Sequence, residues 1–218
     1  MAEAPRDDGP RDDGQGRFVF AAFAELSLGL VGVFLGWWLG PSPHNHIPRW
    51  WDLGGLSEGL ILGSCIGAVL AAGILAASRF PLSGLRELNQ SMELRFREFL
   101  SQMSYVQLGV LSMAAGLGEE ILFRGWLQQG LIRVLDAHAD PLLIALALVL
   151  ASFLFGLAHP ISPLYILLAT VMGVFLGGIY LLTGNLLCAI VAHAVYDAVI
   201  LWKWKRDMEI ENAMGEPK

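Results

Sequence analysis

Long apolar runs separated by short polar or proline-containing links dominate this chain. A helix that crosses a bilayer needs about 20 predominantly apolar residues. Six stretches approach that length: about 18–40, 57–77, 105–131, 141–159, 163–182 and 185–202. Pro41, Pro43 and Pro48 break the chain after the first. Pro160, Ser162 and Pro163 make a tight link between the fourth and fifth, and Thr183 with Gly184 another between the fifth and sixth. Between the second and third runs the periodicity changes. Leu85, Leu88, Met92, Phe96 and Phe99 recur at spacings of three and four, with Arg86, Glu87, Glu93, Arg95, Arg97 and Glu98 on the other side. This pattern predicts an amphipathic helix lying in the membrane interface, held by apolar burial because those charges cancel. A short soluble helix packed on the bundle is the alternative. The expected fold is all-α and polytopic, with about six transmembrane helices and one interfacial helix.

Composition agrees with that pattern. The chain has 218 residues, 55% hydrophobic and 16% charged, an apolar excess beyond that of an ordinary soluble domain. A net charge of −6 with no basic stripe argues against nucleic-acid binding. The tandem PRDDG repeat, Pro5–Gly9 and Pro10–Gly14, cannot bury enough surface to offset its ordering entropy, so residues 1–17 are expected to form a disordered tail. The apolar run that follows is too long for the hydrophobic region of a signal peptide, and the first span is expected to stay in the mature protein. Residues 18–104 then read as two accessory spans plus the amphipathic helix, 105–202 as a four-helix core, and 203–218 as a second tail. Cys65 and Cys188 lie in apolar runs without metal-binding spacing and read as small buried hydrophobes.

Basic residues set the expected orientation. Arg6, Arg11, Arg17, Arg79, Arg86, Arg95, Arg97, Lys203, Lys205, Arg206 and Lys218 fall on one side, and only Arg49 and Arg133 on the other. Both termini are therefore expected in the cytoplasm, with bacterial inner membrane as the expected location. Trp37, Trp38, Trp50 and Trp51 flank the first outer loop as an aromatic belt would. Gly59, Gly63, Gly67 and Ala71 in the second span, and Ala169, Gly173 and Gly177 in the fifth, form small-residue ladders that let helices approach closely.

Ionisable groups inside the spans need a different explanation, since each costs at least ~2.5–3.5 kcal/mol at the bilayer centre. The third span carries Glu119, Glu120 and Arg124, the fourth ends at His159, and the sixth carries His193 and Asp197. Glu120 and Arg124 are four apart on one helical face and can pair. Glu119 lies about 100° round the helix, free of that cation. Asp197, four residues after His193, can accept a hydrogen bond from its ring and fix the tautomer. Converging faces would make a buried pocket of one carboxylate base and two imidazoles, chemistry suited to activating water. Glu25, alone in the first span, reads as a snorkelling or helix-pairing residue. His44, His46 and His138, in outer loops, are given no role. Tyr196 and Asn185 lie near the last motif and are left unassigned.

The sequence Glu119-Glu120-Ile-Leu-Phe-Arg124 resembles the E-E-x-x-x-R motif of the CAAX-protease and bacteriocin-processing (CPBP) family of intramembrane peptidases. Phe155-Gly-Leu-Ala-His159 is similar to its F-x-x-x-H motif, and His193-Ala-Val-Tyr-Asp197 to its H-x-x-x-N/D motif. The resemblance covers roughly residues 105–202. It implies an endopeptidase cleaving a peptide or membrane-anchored protein tail, with Glu119 activating water and His159 assisting. His193 and Asp197 would stabilise the oxyanion or hold the water, with Glu120 and Arg124 mainly structural. It leaves open whether a divalent metal such as zinc takes part. His159, His193 and Asp197 are the candidate ligands, and Asp197 stands where many relatives have Asn. Membrane lipid and the substrate are the expected partners. Two other functions fit an intramembrane cluster of this kind: a non-catalytic scaffold or immunity protein, and a proton-coupled transporter. The complete motif set argues against the first, and the lack of repeated halves and paired broken helices against the second.

Overall fold

The computed structural model describes residues 14–79 and 83–215. Most of the expected tail at residues 1–17, including the first PRDDG repeat and all but the last residue of the second, lies outside the described residues. So do the side chains of Leu85, Arg86 and Glu93 and the last three residues of the chain. Within the described residues the chain is helical. Helix α1 spans Gly14–Leu39, α2 Leu53–Ala77, α3 Ser83–Gln102, α4 Tyr105–Val134, α5 Pro141–Leu157, α6 Pro163–Thr183 and α7 Leu186–Met214. Five of these, α1, α2, α4, α6 and α7, are long and apolar enough to cross a membrane. Helix α5 is apolar but has only 17 residues. The protein is an integral membrane protein of all-α architecture.

Helix boundaries follow local chemistry. Ser104 caps α4 in a reciprocal box with Gln107. Asp140 and Ser162 cap α5 and α6, each followed by proline at the first helical position, where its missing N–H costs nothing. Gly184 ends α6 at φ +66°, a conformation that glycine adopts without strain. Asn185 at once caps α7, accepting from the Leu187 N–H and donating to the Gly55 carbonyl at 2.8 Å. Asn185 is thus an anchor between α7 and α2. Helix α7 runs well past residue 202, so most of the segment expected as a C-terminal tail is helix.

Glycines decide which helices touch. A Cβ on Gly59, Gly63 or Gly67 of α2 would overlap Leu187, Val191 or Val195 of α7. Gly173 and Gly177 of α6 lie equally close to Ser152 and Leu148 of α5. A third ladder, absent from the sequence reading, runs along α1. Gly29 faces Gly118, Gly32 faces the backbone of Leu122, and Gly36 faces Pro43. It locks α1 onto α4, the helix that carries the acidic pair. Helix α3 packs on the projecting ends of the bundle. Its Leu100 joins Met103, Leu108 and Met208 in one buried cluster bordered by Phe18, Phe96, Phe99 and Trp204.

Candidate active site

The two glutamates occupy the point where α4 changes its winding. Tyr105–Glu120 is α-helical, Ile121–Gln128 is a π-helix, and Gln129–Val134 returns to the α form. Such π segments concentrate at functional sites, and eight residues is long for one. Nothing in the apolar pattern of α4 announces it. The neighbours suit its wider girth: Gly125 leaves room for Pro43 and Leu186, which a Cβ there would meet at 2.7 and 3.0 Å. The loop after α1 folds its short 3-10 turn, Pro43–His46, onto this segment. His46 contacts Tyr180 edge-on, and Ile47 joins the buried cluster of Ile121, Tyr180, Leu186 and Ile190.

Arg124 and Glu120 form the expected pair, Nη1 to Oε1 at 2.8 Å, and both are fully buried. Two further contacts hold the guanidinium. Its Nη2 donates to the Gly173 carbonyl at 3.3 Å, and its plane lies 4.3 Å from the centre of the Phe155 ring. One turn on, buried Gln128 donates to the Gly177 carbonyl at 3.3 Å. The glycine ladder of α6 therefore does more than permit packing. It leaves two backbone carbonyls open to polar side chains from α4, and Gln128 is a residue that the sequence reading passed over.

Glu120 also reaches across to α7. Its Oε1 accepts from Nδ1 of His193 at 2.8 Å. Asp197, the partner expected from spacing, contacts the other nitrogen at longer range: its Oδ2 lies 3.5 Å from Nε2. The two carboxylates approach the ring from different directions. Glu120 meets the ring edge-on from a facing helix, whereas Asp197 lies one turn along the same helix. Tyr196 stacks on the His193 ring with centroids 5.1 Å apart and planes at 12°, so the imidazole is held in its plane as well as at its edge.

His159 lies just past the end of α5, in the link to α6. Its Nδ1 is 2.8 Å from the Phe155 carbonyl, which leaves Nε2 as the free nitrogen. That nitrogen is 3.6 Å from Glu119 Oε1, and His193 Nε2 is 3.8 Å from Glu119 Oε2. Glu119 thus stands between two imidazoles, one from the α5–α6 link and one from α7, just beyond direct hydrogen-bond length of each. Its Oε2 is buried with no hydrogen-bond partner among the described residues. The side chain of His193 is 3% exposed and that of Glu119 10%, against 25% for His159 and 29% for Asp197, so the cluster opens on the His159–Asp197 side. Among the described residues no group of three or more His, Cys, Asp or Glu side chains is arranged to hold a metal ion.

Glu25 of α1, expected to snorkel or to pair helices, turns inward against α4. Its Oε2 is buried without a hydrogen-bond partner among the described residues, and its carboxylate interacts electrostatically with Glu119, His193, Asp197 and His159. Gly118 permits this, since it allows the backbone of Glu25 to lie directly against α4 beside Glu119. The signal available in the sequence was weak, a single acid in an otherwise apolar span. His44, Asn45 and His46 line a separate cavity near the start of α7, away from this cluster.

Residues 101–199, from the end of α3 to the middle of α7, match the family described as Type II CAAX prenyl endopeptidase Rce1-like. No curated protein and no solved structure matches the chain. The matched segment holds all seven motif residues, from Glu119 to Asp197, and leaves out α1, α2 and Glu25. Through residues 101–199 this chain is similar to the Rce1-like family of CAAX-type membrane peptidases.

Proposed function

We propose that this protein is a glutamate-type intramembrane endopeptidase that cleaves a peptide or membrane-anchored protein tail. The observation that carries the reading is the Glu119 carboxylate, 3.6 and 3.8 Å from the free nitrogens of two imidazoles inside the bundle. A water about 2.8 Å from Glu119 can also contact His159. Glu119 takes one proton from that water as its oxygen attacks the scissile carbonyl carbon. The carbonyl oxygen becomes an oxyanion, and His193 Nε2 is the candidate donor to it. With Nδ1 donating to Glu120, Nε2 carries a proton only when the ring is cationic, a state that Glu120 on one side and Asp197 on the other both stabilise. Collapse of the tetrahedral intermediate breaks the C–N bond, and the proton on Glu119 passes to the leaving amine. The products are a carboxylic acid and an amine, and water is the only co-reactant.

Arg124 compensates Glu120, Glu120 orients His193, and Tyr196 stacks on the ring, so these three act as positioning residues. The proposed mechanism routes no step through a metal. The excess of Lys and Arg at the α2–α3 and α7 ends supports an orientation with the His159–Asp197 opening towards the cytoplasm of a bacterial cell.

The test is cleavage of a fluorogenic farnesylated CAAX-type peptide by protein in proteoliposomes. Glu119→Gln should lower turnover by ~10²–10⁴-fold, the range for losing a general base, with an unchanged melting temperature. Turnover like that of the unmodified protein would overturn the catalytic reading and bring the scaffold reading forward.

A further inference from the structure

The small-residue ladder of α2 has an end, and a cavity begins there. Gly59, Gly63 and Gly67 hold α2 tightly on α7, and Ala71, 1% exposed, is the last member. Beyond it the facing positions are no longer small. Leu75 and Arg79 on α2 and its end meet Val199, Trp202 and Arg206 on α7, and the two helices leave a cleft of about 780 Å³ between them.

The depth of this cleft is informative. Helix α2 has 25 residues, about 37 Å at 1.5 Å per residue, longer than the ~30 Å hydrocarbon core. Arg79, just beyond its end, therefore stands at head-group level. Trp202 and Tyr105 mark the same level on α7 and α4. Their rings meet at 6.3 Å, and the Trp202 indole donates to the Tyr105 carbonyl at 2.9 Å. Amphipathic rings of this kind settle at the membrane–water boundary.

Charge in the cleft is unbalanced. Arg79, Lys203 and Arg206 line it together with a single carboxylate, Asp207. Lys203 is paired with Asp207, and Arg206 comes within 3.9 Å of the same carboxylate. Arg79 has no acidic partner among the described residues. A cleft with an apolar floor of Leu75, Val199 and Trp202 under a cationic rim at head-group depth matches an amphiphile with a phosphate at one end.

We propose that the cleft between α2 and α7 binds the phosphate head group of an anionic phospholipid, with its glycerol and upper acyl carbons on the apolar floor. Arg79 and Arg206 hold the phosphate. The shared chemistry is a phosphate anion, which could also come from solution, and the experiment separates the two sources.

The full chain is delipidated in detergent and titrated with phosphatidylglycerol, phosphatidylcholine or inorganic phosphate, with bound lipid counted by native mass spectrometry. The expected result is at least a ten-fold preference for phosphatidylglycerol over phosphatidylcholine, undiminished by millimolar inorganic phosphate. R79Q/R206Q should reduce that preference to less than two-fold, and Arg49→Gln, at the opposite end of α2, should leave it intact. If the double variant does not fold, Arg79→Gln alone decides, because Arg79 is exposed and lies past the end of its helix. It should lower the preference at least three-fold. Full preference in whichever Arg79 variant decides, equal loss in Arg49→Gln, or displacement by inorganic phosphate would each overturn the proposal.

Discussion

Glu119 and Glu120 are adjacent and chemically identical, and their neighbours give them different work. Glu120 meets a guanidinium and an imidazole at 2.8 Å each, whereas both contacts of Glu119 with the imidazoles are longer than 3.5 Å. Removing one member of the Glu120–Arg124 pair leaves a buried charge without compensation. Glu120→Ala and Arg124→Ala should each cost on the order of 3–5 kcal/mol, seen as a lowered melting temperature in detergent. The apolar double variant E120L/R124M should regain much of that stability but not the activity, because His193 then has no acceptor at Nδ1. Regained turnover would show that Glu120 does not orient the ring. Metal removal probes the same cluster. If Glu119 alone activates the water, a strong zinc chelator should leave turnover within two-fold, and a loss reversed by added zinc would overturn the glutamate-type mechanism. Much of the cluster was legible in the sequence because intramembrane charges at i,i+4 spacing announce both a face and a partner. The acceptor for His193 was not legible, since it lies 73 positions away and only tertiary structure brings it near.

Helices in lipid gain little from apolar contact alone, so small residues decide which pairs form. The ladders on α2 and α6 stood out as runs of glycine and alanine at spacing four. The α1 ladder, Gly29, Gly32 and Gly36, was hidden by mixed spacing of three and four, and by partners in a helix whose π segment no periodicity reveals. Gly118 is the sharpest point of that contact, where a Cβ would run into the Glu25 carbonyl oxygen. Gly118→Ala should therefore shift α1 away from α4, costing about 1–3 kcal/mol as overpacking does. Turnover should fall with it, because Glu25 and Glu119 move apart. Gly178, on α6, is the control, since a Cβ there meets nothing within 4 Å. Gly178→Ala should keep both melting temperature and turnover. Equal effects at the two positions would mean that helix propensity, not contact, governs these glycines.

At the scale of the whole molecule, the site is built from two parts with different origins in the sequence. Helices α4 to α7 carry the family motifs, while α1 supplies Glu25 and the loop after it supplies the 3-10 turn that seats against the π segment. That arrangement fixes relative sidedness, because the cluster opens beside the α5–α6 link and the polar end of α7, where the excess of Lys and Arg collects. The proposed orientation, read from the positive-inside bias, puts that end in the cytoplasm. Two exposed positions on opposite sides test it. Asn45 lies in the turn after α1 and Ser91 on the outer face of α3. Each is replaced by cysteine in a Cys65→Ser background, since Cys65 is exposed and Cys188 buried. An impermeant maleimide applied to intact cells should label Asn45→Cys and spare Ser91→Cys until the membrane is opened. The reverse pattern would invert the topology and place the opening on the outer side. A substrate tail would then have to be presented from outside the cell, whatever Glu119 does to the peptide bond.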